Sequence, residues 1–140
     1  MPAVDGCRFC RIAEGQDFAH VVLADEVVCA FLDHRPVFLG HVLVVPRLHV
    51  VTLPELPAGL VGPLFASVQR VTAAVQAGLG AEGSFVALNN IVSQSVAHLH
   101  VHVVPRRHKD GLRGFFWPRV RYRDDHEMAE VASRIAAAVS

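Results

Sequence analysis

Apolar residues in this chain bunch into short runs, alternate with polar ones, or recur every three to four positions, and each pattern marks a different element. Val21–Ala24 and Val27–Leu32 are apolar runs separated by Asp25-Glu26, which reads as two strands joined by a tight turn. His41–Val45 reads as a buried strand closed by Pro46. From about Pro57 to Leu79 the apolar positions (Leu60, Val61, Leu64, Phe65, Val68, Val71, Val75, Leu79) have helical spacing, and Gly78 and Gly80 are stop signals. Pro63 fits poorly inside that helix. Ser84–Asn89 and His98–Val104 read as neighbouring strands, and residues 126–139 as a terminal amphipathic helix. The order of hairpin, strand, helix, two strands and helix fits an α+β fold with a mainly antiparallel sheet. No repeat or low-complexity segment interrupts it.

The last predicted strand carries the strongest chemical signal: His98-Leu99-His100-Val101-His102-Val103-Val104, followed by Pro105 and Arg106. Residues i, i+2 and i+4 of a strand share a face, so the three imidazoles point one way and Leu99, Val101 and Val103 point into a core. At about 3.3 Å per residue, the Cα atoms of His98 and His102 stand about 13 Å apart. A row of imidazoles on a rigid support suits metal ligation, or histidine nucleophilic catalysis with helper histidines.

The 140 residues are enough for one domain with a real core. Hydrophobic content is 52% and mean hydropathy is +0.37. Yet no apolar run approaches the ~20 residues of a membrane span. Asp5, Arg8 and Arg11 interrupt any signal-peptide pattern. The expectation is a cytoplasmic protein, with no membrane partner, whose surplus apolar content fills the core or an oligomer interface. A formal net charge of zero gives no reason to expect nucleic-acid binding. Charge is uneven, however. Arg106, Arg107, Lys109, Arg113, Arg119, Arg121 and Arg123 follow the histidines with only Asp110 among them, and read either as a solvated loop or as an anion-facing segment. Three cysteines argue against a disulfide framework. Cys29 sits in an apolar run and reads as an inert buried thiol.

Neighbouring side chains on one strand face are about 6.6 Å apart, which strains a metal site built from the three histidines alone. Cys7 and Cys10 have the spacing of half a zinc site. Two more ligands have to come from folding: His49, after Pro46-Arg47-Leu48, and an end histidine of the triad. Such a site is closed, hence structural, and ties the N-terminal segment to the sheet.

Neutral imidazole is a competent nucleophile toward phosphorus. Attack on an α-phosphate gives a nucleotidyl-histidine that water then cleaves. His100, with a histidine on each side, is best placed, and His102 can hold its tautomer or stabilise developing charge. Asn89-Asn90 and Ser93-Gln94-Ser95 suit a phosphate pocket, or are simply a polar turn. His41, alone, reads as a packed or surface residue. Asp33 either caps a turn with His34-Arg35-Pro36 or hydrogen-bonds ribose hydroxyls. His20, His108 and His126 have no context that assigns a role.

Taken together these residues resemble the histidine-triad (HIT) family of nucleotide hydrolases and transferases, whose signature is His-x-His-x-His followed by two apolar residues. His98, His100, His102, Val103 and Val104 fit it. Cys7-Arg8-Phe9-Cys10-Arg11-Ile12 resembles the N-terminus of the bacterial branch, and Phe31-Leu32-Asp33, the run from Gly40 to His49, and Asn89-Asn90 fall in the expected order. The resemblance implies a single domain over residues 1–140, with a five-stranded antiparallel sheet, one long central helix and a C-terminal helix. It implies a homodimer and a purine nucleotide ligand of the AMP or GMP type. It implies His100 as nucleophile, with His102 and His41 supporting the phosphate and the nucleophile. It places Asp33 on the ribose, Phe31 and Asn90 among the nucleotide-binding residues, and Gln94 and Ser95 near the phosphate and leaving group. In zinc-bearing bacterial members the metal positions correspond to Cys7, Cys10, His49 and His98. Zinc is then a structural cofactor, and the chemistry needs none.

Two departures stand out. Many members carry a glycine-rich loop before the triad, roughly Asn-Asn-Gly followed by Gly-Gln. Asn89-Asn90-Ile91-Val92-Ser93-Gln94 is shorter and lacks both glycines, which implies a differently shaped phosphate-side loop. The segment from Asp110 to Arg119 is a distinctive aromatic tail, read either as dimer packing or as a wall on the leaving-group side. The leading expectation is an enzyme that cleaves a nucleoside 5′-phosphoryl bond, with an amine, a nucleotide or a sugar phosphate leaving. The arginine tract favours an anionic leaving group. The alternatives are a nucleotide-binding regulatory or interaction protein with little catalysis, and a zinc-binding protein that uses the triad as ligands.

Overall fold

Five strands form one antiparallel sheet: β1 (Val21–Ala24), β2 (Val28–Leu32), β3 (Val42–Pro46), β4 (Gly83–Ala87) and β5 (Val101–Arg106), in spatial order β1-β2-β3-β5-β4. Helices α1 (Arg8–Ala13), α2 (Ala58–Leu79) and α3 (Asp125–Ala138) complete the fold, with a 3-10 turn at Leu53–Glu55. This computed structural model describes residues 3–113 and 119–139. Residues 114–118, the aromatic centre of the tail, lie outside them. The chain divides into two units, residues 1–110 and 111–140. The first holds the sheet, α1, α2 and every residue expected at the site.

The predicted hairpin forms because Asp25 Oδ1 accepts the backbone N–H groups of Val27 and Val28, each at 2.8 Å, and so closes the turn. Both faces of the sheet are covered, which is why β2 and β3 read as unbroken apolar runs. Val28, Ala30, Val42, Val44, Val101 and Val103 face α2 and pack with its Leu64, Val68, Val71 and Val75. Cys29, Phe31, Leu43 and Val45 face the other way and pack with Cys7, Phe9, Cys10, Ile12 and Ala13 around α1.

The buried stripe of α2 repeats at the 3.6-residue period. By length and composition α2 is apolar enough to cross a membrane, but that stripe is packed on the sheet. Pro63, which fits a helix poorly, is nonetheless inside α2, on its exposed side. As the sixth helical residue it forgoes the backbone hydrogen bond to the Gly59 carbonyl. Gly80 ends α2 in the left-handed conformation, with φ +62°.

Two expectations need correction. The strand predicted over His98–Val104 is paired only from Val101 onward. Just before it, the Leu99 N–H donates to the Val50 carbonyl at 2.8 Å, outside the ladder. Leu99 nonetheless joins the α2-side core with Val101 and Val103, so the predicted alternation of faces holds. Helix α1 has no counterpart in the predicted elements. Six residues are too few to display a helical period, and its N-cap is Cys7, whose Sγ accepts the Cys10 N–H at 3.4 Å.

The second unit contains α3, close to its predicted span. Asp124 caps it by accepting the Glu127 N–H at 2.9 Å, and none of its residues is buried.

Candidate active site

The central pair β3–β5 sets Leu43 opposite His102. His41, one residue ahead of β3, therefore lies beside His102, with its Nε2 2.9 Å from His102 Nδ1. The Val37 N–H donates to His41 Nδ1 at 3.1 Å. His41 thus carries its proton on Nε2 and donates to His102 Nδ1, which leaves the His102 proton on Nε2. His100 Nδ1 lies 2.7 Å from the His98 carbonyl oxygen. Only a donor faces a carbonyl at that distance, so His100 is protonated on Nδ1 and keeps its lone pair on Nε2. The His100 and His102 ring centroids are 5.0 Å apart. These tautomers follow from the partners, because each ring has one partner whose role is fixed.

Asp33 Oδ2 lies 3.8 Å from His41 Nε2. That is too long for a hydrogen bond, so Asp33 acts on the pair through its charge. Burial pushes His102 down to about 4, the neighbouring His100 and His41 add to the effect, and Asp33 opposes it. Burial also lowers His41, against the pull of Asp33. Both imidazoles are held neutral, as the hydrogen-bond chain requires. Donor atoms of Asp33, His41 and His102 cluster within 4.8 Å, but a protonated His41 Nε2 makes this a proton relay rather than a ligand set.

A cavity of about 380 Å³ opens against this relay, lined by His100, His102, Asp33, Phe31 and Ser95 among the expected residues. Its volume suits a small-molecule ligand. Phe9 stands edge-on to Phe31 at 5.3 Å and to His100 at 5.2 Å, which makes an aromatic wall beside the triad. Arg8, Ile12, Phe18, Ala19, His20, Leu32, His34, Leu43 and Val96 complete the lining. Sequence reasoning assigned none of these nine. They come from separated segments, and Leu43 shares a face with Phe31 through the β2–β3 register. Asp33 caps the turn, its Oδ1 accepting the Arg35 N–H at 2.9 Å, and it also lines the cavity. His41 stands behind His102, buried.

Asn90 and Gln94 are placed differently. Asn90 Oδ1 accepts the Leu53 N–H at 2.8 Å. Gln94 Nε2 donates to the Val51 carbonyl at 2.6 Å, and its Oε1 accepts the Ile91 N–H at 2.9 Å. Both amides tie the loop to residues 51–53 instead of facing the cavity. The missing glycines leave a mark here, because Ile91 (φ +69°) and Ser93 (φ +61°) adopt the left-handed conformation that glycine takes without cost.

On the far side of Phe9 stand Cys7, Cys10, His49 and His98, with their donor atoms within 4.8 Å of one another. His98 Nδ1 is 3.3 Å from Cys7 Sγ, 3.6 Å from Cys10 Sγ and 3.2 Å from His49 Nδ1. Cys10 Sγ is 3.4 Å from His49 Nδ1. Tetrahedral zinc with bonds of about 2.0–2.3 Å needs edges of about 3.3–3.8 Å, so this donor set fits that metal. His98 Nε2 donates to the Pro46 carbonyl at 2.8 Å, which leaves Nδ1 as the free ligand atom. Burial pushes His98 down to about 4 and keeps it in the neutral, ligating form. Burial raises the Cys10 thiol. A dication among the ligands reverses that by favouring the thiolate.

The HIT domain family profile matches residues 14–109. The chain is 36% identical to adenosine 5′-monophosphoramidase hnt1 of Schizosaccharomyces pombe over 115 residues, covering 80% of this chain and 83% of that protein. It is 31% identical to adenylylsulfatase HINT3 of Arabidopsis thaliana over 108 residues, covering 76% of this chain and 55% of that one. Among solved structures, a HIT family protein of Bacillus subtilis superposes with a TM-score of 0.89 at 30% identity, covering 97% of this chain and 99% of that chain. A zinc-bound histidine triad family protein of Mycobacterium smegmatis does so with a TM-score of 0.73 at 36% identity, covering 94% and 97%. A profile match across most of the sequence, falling on the sheet that carries His98, His100 and His102, shows that the chain belongs to the HIT family.

Proposed function

We propose that this protein is a nucleotide hydrolase or transferase that cleaves a nucleoside 5′-phosphoryl bond through a covalent intermediate on His100. The observation that carries this reading is the tautomer of His100, whose Nδ1–H is held by the His98 carbonyl at 2.7 Å while Nε2 stays free. Relatives named as an adenosine 5′-monophosphoramidase and an adenylylsulfatase support the substrate class.

In the first step the His100 Nε2 lone pair attacks the α-phosphorus. An N–P bond forms and the bond from phosphorus to the leaving group breaks. The leaving group departs with its electron pair and takes a proton from water, while the His102 Nε2–H, held in place by His41, hydrogen-bonds the phosphate. The positive charge gained by the His100 ring is stabilised by the His98 carbonyl on its Nδ1–H. In the second step water attacks the same phosphorus. The N–P bond returns its electrons to His100, one water proton neutralises the hydroxide left by the first step, and the nucleoside monophosphate leaves.

Cys7, Cys10, His49 and His98 would hold zinc as a closed structural ion, whose contribution is folding free energy. We also take the protein to act as a homodimer in the cytoplasm. Exposed Val61 and Phe65 on α2 and Val86 on the edge strand β4 support a second copy, and the reduced, metal-spaced Cys7 and Cys10 support the compartment.

The test is intact-protein mass spectrometry after an acid-free quench with adenosine and guanosine phosphoramidates, on wild type and on His102→Ala. The expected result is one nucleotidyl adduct that maps to His100. Tight nucleotide binding with neither adduct nor turnover on phosphoramidate, dinucleoside polyphosphate or nucleotide-sugar substrates would overturn it in favour of a binding protein.

A further inference from the structure

The cavity contains one cation that the relay does not use. Arg8 is the first residue of α1 and lines the cavity one helical turn from Ile12, on the same face of the helix. Among the described residues no carboxylate lies within ion-pair distance of it. Its Nη1 donates to His34 Nε2 at 3.4 Å. That bond crosses from α1 to the segment after β2, and it anchors the guanidinium at the cavity's edge with further N–H donors still available. His34 Nδ1 lies 3.8 Å from Asp33 Oδ1, beyond hydrogen-bond distance, so the carboxylate acts on it through its charge.

The cavity that holds His100 and Asp33 is walled by Phe9, Ile12, Phe31 and Leu43 and carries Arg8 and His34. A base stacked on that apolar wall has a guanidinium in the same cavity to meet its edge. A purine presents N7 and its position-6 substituent at that edge. In guanine and hypoxanthine both are acceptors. In adenine the position-6 group is a donor. A fork of guanidinium donors matches the first pair and conflicts with the second. We propose that Arg8, positioned by His34, reads the 6-oxo edge of the base, so that this cavity prefers guanosine and inosine nucleotides to adenosine ones. This inference rests on the nucleotide reading above and adds the base to it.

The test is calorimetric titration of GMP, IMP and AMP into wild type, Arg8→Ala and Arg8→Lys, with a melting curve for each variant to show that it is folded. Wild type is expected to bind GMP and IMP about tenfold more tightly than AMP, the discrimination of one bidentate pair. Arg8→Ala is expected to bring the three within about twofold of each other. Arg8→Lys keeps the charge without the fork and is expected to lose most of the preference. AMP binding as tightly as GMP to wild type, IMP tracking AMP, or the preference surviving in either variant would each overturn the inference and leave the nucleotide reading intact. Absence of binding by all three nucleotides would instead overturn the nucleotide reading, and the inference with it.

Discussion

His98 and His100 are joined through the backbone of one and the ring of the other: the carbonyl of His98 accepts the Nδ1 proton of His100 at 2.7 Å, while the ring of His98 points Nδ1 into the metal cluster. The Cys7–Cys10–His49–His98 donor cluster and the proposed nucleophile are therefore linked through His98. Truncating His100 removes the nucleophile and leaves the cluster untouched. His100→Ala is expected to lower turnover at least about 10³-fold, with nucleotide affinity within a few-fold of wild type and full metal content. Loss of metal in that variant, read by elemental analysis, would return the triad to the ligand set and count against its catalytic role.

Cys7→Ser is expected to do the reverse. It breaks a four-donor cluster that fastens α1 to the sheet, and a helix of six residues does not sustain itself in water. Chelation of wild type is expected to have the same effect. Both lower the melting temperature, by roughly 3–6 °C for each kcal/mol lost, and both weaken nucleotide binding because Arg8, Phe9 and Ile12 line the cavity from α1. A chelated protein with unchanged melting and unchanged affinity would separate the metal from the pocket.

The buried relay makes stability depend on pH. His102 is held down to about 4 in the fold, against about 6.5 in an unfolded chain. Between these values the unfolded state binds a proton that the native state refuses. The stabilisation is complete above about pH 6.5 and is lost as pH falls toward 4. His41 is shifted in the same direction by burial. Urea unfolding at intervals across that window is expected to show the decline, and His102→Gln to flatten it. An equal slope in the variant would assign the dependence to other groups.

Ile91 holds a β-branched side chain at φ +69°, where glycine has no steric penalty. Ile91→Gly is expected to stabilise the protein by roughly 1 kcal/mol, because relief of the left-handed strain exceeds the entropy that glycine adds to the unfolded chain. Destabilisation in thermal melts would show that the exposed isoleucine side chain contributes more than its backbone costs.

Gly40 is the opposite case. Its φ is +98°, and a Cβ there would collide with Leu79 Cδ1 at the end of α2. Gly40→Ala is expected to cost roughly 1–3 kcal/mol. Since His41 follows directly, the variant is also expected to lose turnover out of proportion to its stability.

Much of this was legible in the sequence because sheets have a period of two. The alternation from His98 to Val104 by itself assigns Leu99, Val101 and Val103 to the core and the imidazoles to the other face. The α2 stripe was legible for the same reason at a different period. What stayed hidden had no period to show. Helix α1 is too short to repeat. Phe18 and His20, edge to face at 4.9 Å, reach the cavity from a connecting segment, and Arg8 meets His34 only because the chain folds back over 26 positions. Asn90 and Gln94 are residue types that suit a phosphate, and in this fold their amides bond the backbone of Leu53 and Val51, a contact that no period in the sequence announces.

The relay lies at the junction of β3, the central strand, with its neighbour β5, where the ladder pairs Val42, Leu43 and Val44 with Val103, His102 and Val101. Central ladder amides of this kind exchange with deuterated solvent only when the whole unit opens. An opening that leaves this ladder paired keeps His102 opposite Leu43 and His41 next to it in sequence. On heating, the catalytic machinery is therefore expected to vanish in the same transition as the slowest-exchanging amides, whereas the cavity wall contributed by α1 belongs to an earlier, softer stage of melting.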